Sequence, residues 1–204
     1  MVRRPQKQMR LRRERRRRSL LGCLLLGGMV AASGAMRAQG AGAEKPARDD
    51  VRAAYLYNFG QFVRWPEGAG RGSLLVCVAG QDPFGQTMGK LAAGKQINGR
   101  ALEVRNLDRP EGAADCSILF VGKPESGHVD AYLAATAGKA VLTVGEGPDF
   151  LTHGGMIEFV EVEDRVRFSV NLDAANRCGV ALSSELLKVA VTVTGKPGTG
   201  GSPK

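Results

Sequence analysis

The residues able to do chemistry are few and poorly placed to act together. The chain has two histidines, His128 and His153. His128 follows Ser126-Gly127 at the start of a predicted helix, and His153 adjoins the Gly154-Gly155 turn. Neither sits in a cluster with metal-ligand spacing, so zinc or copper finds no ligand set. Ser126, His128 and Asp130 have the residue types of a nucleophilic triad, but neighbours in sequence seldom converge. No G-x-S-x-G elbow exposes a serine either, so His128 reads as a helix cap. Gly85-Gln86-Thr87-Met88-Gly89-Lys90 lacks the spacing of a phosphate loop. Gly145-Glu146-Gly147 begins like a dinucleotide fingerprint, but Phe150 stands where its third glycine belongs. Cys178, beside Gly179, shows no neighbouring base to activate it and reads as a structural thiol. The pattern predicts no enzyme and no cofactor.

The densest local signal is aromatic. Tyr55, Tyr57, Phe59, Phe62 and Trp65 fall within eleven residues, and Trp65 is the sole tryptophan. At helical spacing Tyr55, Phe59 and Phe62 share one face while Tyr57 points elsewhere, so one core cannot take them all. Tyr57, Arg64 and Trp65 are therefore the candidate partner- or ligand-binding residues, because Trp, Tyr and Arg dominate interface hot spots.

The elements that would position these residues alternate. Asp49 or Asp50 can cap a helix to about Val63, which Trp65-Pro66 ends. Ser73 to Ala79, Cys116 to Val121 and Lys139 to Val144 are apolar runs of strand length, suited to strands covered on both faces. Between them lie a helix from Pro83 to Ala93, a strand from Ala101 to Leu107 and a helix from Pro124 to Ala137. Met156–Val162 and Arg165–Leu172 alternate apolar and polar residues around Glu163-Asp164, the mark of an antiparallel hairpin. A helical turn over Asp173–Arg177 follows. Ser183 or Ser184 can cap a last helix with Leu186, Leu187 and Ala190 inward. This order predicts an α/β fold: a mixed, mostly parallel sheet flanked by helices, with a C-terminal antiparallel hairpin. A crevice is expected at the strand carboxyl ends, near Gly80 and Gly122.

Residues 1–38 hold 11 of the 29 Lys and Arg and one of the 20 Asp and Glu, leaving 18 basic and 19 acidic groups in the rest. A basic start, an apolar stretch from Leu20 to Ala32 and small residues at Ser33, Ala35 and Ala38 read as a secretory signal peptide. Its apolar run is too short to span a bilayer, which takes about 20 residues. Leu20-Leu21-Gly22-Cys23 resembles a lipoprotein cleavage box, and Arg17-Arg18-Ser19-Leu20-Leu21 a twin-arginine signal; either also exports the domain. The isoelectric point near 9.8 thus belongs to the leader and gives no ground for a nucleic-acid partner. The expected organisation is a signal peptide (1–38), a flexible connection (39–48), one α/β domain (49–194) and a disordered tail (195–204). Cys77, Cys116 and Cys178 remain beyond the leader, which allows one disulfide in an oxidising compartment or three buried thiols.

Several segments in order resemble the YfiR family of periplasmic bacterial proteins. They are Ala53-Ala54-Tyr55-Leu56-Tyr57-Asn58-Phe59; Phe62-Val63 with Trp65-Pro66; Leu75-Val76-Cys77-Val78 with Gly80; and Asp82-Pro83-Phe84-Gly85. Cys116-Ser117-Ile118-Leu119-Phe120, Val141-Leu142-Thr143-Val144, Gly154-Gly155-Met156-Ile157, Phe168-x-Val170-Asn171-Leu172 with Ala174-Ala175, and Ser183-Ser184-x-Leu186-Leu187 complete them. The resemblance covers about residues 50–193. It implies a non-enzymatic repressor that binds the periplasmic part of an inner-membrane diguanylate cyclase or sensor protein, relieved by an outer-membrane OmpA-like lipoprotein. It further implies a homodimer, a small aromatic ligand in a hydrophobic pocket, and a Cys77–Cys116 disulfide. Geometry objects to the last. If the two strands are parallel neighbours, Cys77 lies opposite Leu119, and the offset of about 10 Å exceeds the reach of a disulfide. Either the register shifts or the bond is absent. The second cysteine pair that some relatives carry near the Gly154-Gly155 turn is missing here.

Overall fold

The computed structural model describes residues 47–69, 72–80, 82–147 and 149–196. The expected signal peptide with Cys23, most of the expected connection and the expected tail from residue 197 lie outside the described residues. Helix α1 (Arg48–Phe62) starts one residue before the expected domain boundary. Ala47 offers no side-chain cap; Asp49 and Asp50 instead occupy the first turn, where their charge complements the helix dipole. The helix stops where Val63 turns extended, φ −109°, ahead of Trp65-Pro66. Strand β1 (Val63–Arg64) follows.

Strand β2 (Leu74–Ala79) has all six residues buried, as its unbroken apolar run requires. Helix α2 (Gln86–Ala92), strands β3 (Gln96–Ile97) and β4 (Arg100–Leu107), and a 3₁₀ helix (Pro110–Asp115) come next. Strand β5 (Ile118–Val121), a second 3₁₀ helix (Lys123–His128), helix α3 (Val129–Ala135) and strand β6 (Leu142–Glu146) continue the alternation. The expected hairpin is β7 (Ile157–Val162) and β8 (Arg165–Asn171), joined by Glu163 and Asp164 at φ 49° and 57°, the left-handed pair that a tight hairpin turn demands. The chain ends in α4 (Leu172–Arg177), β9 (Ala181–Leu182), α5 (Ser184–Lys188) and β10 (Val193–Thr194). Asn171 and Ser183 cap the two helices through Ala174 N–H and Leu186 N–H.

Eight strands form one sheet in the order β10-β8-β7-β6-β5-β2-β4-β3, with β4, β2, β5, β6 and β7 mutually parallel and β8 antiparallel to β7. The mixed, mostly parallel sheet flanked by helices is therefore as expected. Alternation along the strands sends Val76, Val78, Ile118, Phe120, Leu142 and Val144 to a core shared with Leu56, Phe59 and Met88 of α1 and α2. It sends Leu75, Cys77, Leu119 and Val121 to a second core with Val129 and Tyr132 of α3 and Ala113 of the first 3₁₀ helix. Phe150 plugs this second core between Gly145 and Gly155, and a Cβ on either glycine would run into its ring. The Gly145-Glu146-Gly147 sequence thus serves packing at its first glycine.

The disulfide objection fails, and for an instructive reason. The register is unshifted, with Cys77 opposite Leu119, yet Cys77 and Cys116 are bonded, their Cα atoms 5.9 Å apart. Cys116 is not a strand residue. It follows the 3₁₀ helix that packs on this face, and the chain joins the sheet only at Ser117, whose N–H donates to the Leu75 carbonyl. The offset assumed a straight strand from residue 116, and the chain bends there. Lys196, within the span expected as tail, is held in place: its N–H donates to Asp173 Oδ1 and its carbonyl accepts from Asn176 Nδ2.

Candidate interaction surface

Trp65 leaves β1 pointing inward. Its indole N–H donates to the Ser117 carbonyl at 3.2 Å, and the Arg100 guanidinium lies 5.7 Å from its ring centroid. Arg100 also donates to the Gly72 and Ser73 carbonyls and to Ser117 Oγ. Burial lowers its pKa. These contacts knot the end of α1, the start of β4 and the approach to β5, so Trp65 is half-buried and engaged within the fold. Tyr57 is likewise half-buried against the first core, whereas Arg64 is exposed opposite Ala181 in the β1–β9 ribbon. No ring contact or hydrogen bond joins Tyr57 to Trp65 among the described residues.

The aromatic face of α1 also divides differently from its spacing. Tyr55 and Phe59 pair as their spacing suggests, with ring centroids 5.9 Å apart and Phe168 5.5 and 5.2 Å from them. Phe62, expected on the same face, is 40 % exposed. It lies in the last turn, where the chain swings away to pair β1 with β9, and its carbonyl accepts from Ser183 N–H.

Helix α5 starts at this point and leads to the least expected surface. Val189, Val191 and Val193 are 57, 50 and 39 % exposed. Sequence reasoning missed them because Leu186, Leu187 and Ala190 match a helical period. The helix ends at Lys188, and the chain runs on along β8: Val191 N–H donates to the Phe168 carbonyl, and Val170 N–H to that of Thr192. The alternating valines of residues 189–194 were the available signal. Val193 and Thr194 form β10 at the end of the sheet, and an edge strand is a template for a further strand.

Gly80 and Gly122, the expected place of a crevice, follow the two strands at the switch point, since β2 crosses through α2 to β4 while β5 crosses through α3 to β6. Its β6 rim is closed by charge. Glu146 is buried, its Oε1 paired with Arg52 Nε of α1 and its Oε2 accepting from Lys123 N–H at 3.4 Å. Two clefts open elsewhere. One, of about 330 Å³, lies along Val51 and Tyr55 of α1 and Val166 of β8; the other, of about 600 Å³, runs between α3, the 149–156 loop and α4. Among the described residues no group of three His, Cys, Asp or Glu could hold a metal ion, and no helix is long and apolar enough to cross a membrane.

The fold and surface define a small α/β domain with an apolar edge strand. Residues 49–191 match the YfiR/HmsC-like family model. The chain belongs to the YfiR/HmsC-like family, known as periplasmic regulators of diguanylate cyclases. No curated protein matches the chain. Among solved structures it is similar to a conserved domain protein from Vibrio cholerae O1 biovar El Tor, with 12 % identity and a TM-score of 0.48. That match covers 72 % of this chain, which spans 60 % of the other's length.

Proposed function

We propose that this protein is an exported, non-enzymatic repressor that binds the periplasmic part of an inner-membrane diguanylate cyclase, or a related sensor protein, and holds it inactive. The observation that carries the reading is the exposed valine edge of residues 189–193, reached through α5 from exposed Phe62. Apolar, β-branched and open to pairing, it suits addition of a partner strand. Arg64 lies on the adjoining ribbon, and we place it in the contact together with the half-buried Tyr57 and Trp65. An outer-membrane OmpA-like lipoprotein relieves repression by competing for the same surface, and a second copy of the chain is the rival occupant. The cleft beside Tyr55 supports an additional small aromatic ligand.

The test is a titration of the mature domain against the purified periplasmic domain of the source organism's membrane cyclase, with and without tryptophan. Val191→Asp should weaken binding by about 2 kcal/mol and leave the melting temperature unchanged, while deletion of the gene raises cyclic di-GMP. Unaltered cyclic di-GMP, or full binding by Val191→Asp, overturns the repressor reading. A tryptophan effect on neither affinity nor melting removes the ligand.

A further inference from the structure

The larger cleft gathers chemistry that the docking surface does not use. Asp130, Leu133 and Thr136 line it from α3 and its end, His153 and Met156 from the loop before β7, and Arg177 and Cys178 from the end of α4. Cys77 and Cys116 are spent on each other, so Cys178 is the free thiol among the described residues, and it is partly exposed. His153 Nδ1 lies 2.6 Å from Asp130 Oδ1. With Nδ1–H donating to that carboxylate, Nε2 is left as the lone-pair nitrogen. Three separate elements thus bring a thiol, a carboxylate-oriented imidazole and a guanidinium to one cavity of about 600 Å³. The sequence hides the set, because no base stands beside Cys178 in the chain.

We infer that this cleft is a thiol-exchange site for a small anionic disulfide, with Cys178 as nucleophile, His153 as base and Arg177 as the anchor for the disulfide's carboxylate. His153 Nε2 takes the Cys178 proton, and the thiolate attacks one sulfur of the incoming disulfide. The old S–S bond breaks as the new one forms; Cys178 is oxidised to a mixed disulfide. The departing half is reduced to a thiol and receives the proton back from the imidazole, so electrons and protons balance without a further oxidant. Asp130 positions the imidazole and touches no reacting atom.

The test uses the folded mature domain and oxidised glutathione as the probe, with intact-mass and peptide-mass readouts. One glutathionyl group should appear per chain, on Cys178, and Cys178→Ser should take up none. His153→Asn should slow uptake by roughly tenfold; its ion pair is exposed, at 46 and 80 % for the two side chains, so the fold survives. Arg177→Gln should slow oxidised glutathione by roughly tenfold and leave cationic cystamine unaffected, which a merely structural role would not do. Labelling only after unfolding, equal rates in wild type, His153→Asn and Arg177→Gln, or a Cys178-linked dimer in place of the adduct overturns the inference.

Discussion

Replacing Arg52 by methionine should cost this domain far more than a surface arginine is worth. The Arg52 side chain is 11 % exposed and that of Glu146 8 %. Nε faces Glu146 Oε1, Nη1 lies 2.6 Å from Asp49, and Nη2 is 3.6 Å from Glu161. Methionine fills much of the same volume but leaves the Glu146 carboxylate buried, with only the Lys123 N–H at 3.4 Å. Stranding one member of a buried pair costs about 3–5 kcal/mol, or about 10 °C in melting temperature at about 3 °C per kcal/mol for a domain of this size. Glu146→Gln is milder, about 2 kcal/mol, because Arg52 keeps Asp49 and Glu161.

The double variant decides whether this reasoning is right. The charge that Arg52→Met strands is the one that Glu146→Gln removes, so Arg52→Met/Glu146→Gln should be no less stable than Arg52→Met alone. Urea unfolding of the disulfide-intact domain measures all four proteins. Trp65 fluorescence reports the β1–β5 knot, and far-UV circular dichroism reports the whole. A double variant whose loss equals the sum of the singles, or an Arg52→Met loss below about 1 kcal/mol, would refute the assignment of this pair as a buried, coupled staple between α1 and β6.

Two further outcomes follow from the same structure. The Cys77–Cys116 bond closes a separation of 39 residues, worth about 4 kcal/mol in the chain-entropy model; the Cys77→Ala/Cys116→Ala domain should unfold at correspondingly lower urea, and an unchanged midpoint would count against it. Burial raises the pKa of Glu158, with Asp149 adding to the rise against the Leu151 N–H bond. A raised carboxyl pKa means that ionisation costs the folded state, so this penalty is absent below the ordinary carboxylate range and complete above the raised value. Glu158→Gln should therefore gain stability over wild type at pH 7, by well under about 1 kcal/mol since the side chain is only partly covered. That gain should vanish below about pH 4, and one that grew on acidification would contradict the sign.

What could be read from the residues was whatever local pattern dictates. Helix α1, the buried strand β2 and the β7–β8 hairpin each carry a period or an unbroken apolar run long enough to leave one solution. The two-residue strands β1, β3 and β9 carry no such pattern, since their pairing is decided by what lies alongside. Cys116 shows the cost of extending a strand by its apolar letters: one 3₁₀ turn before it converts an unreachable offset into a bonded pair.

The same distinction separates the two surfaces. The aromatic cluster at Tyr55–Trp65 drew attention because large rings are conspicuous, yet Phe59 is consumed by the core and Trp65 by the Ser117–Arg100 knot. Valines at 189, 191 and 193 were inconspicuous because a valine ordinarily finds cover. Here it does not. Pairing with Phe168 and Val170 holds the chain flat against β8, and a strand at the sheet's end has no further layer above its outward side chains. A short edge is normally kept soluble by charge, proline or a bulge, but residues 189–194 contain neither a charge nor a proline. With two residues in β10, this edge relies on its shortness alone for protection, and under the proposed function that makes it a better place for a partner contact than the rings, which the fold already engages.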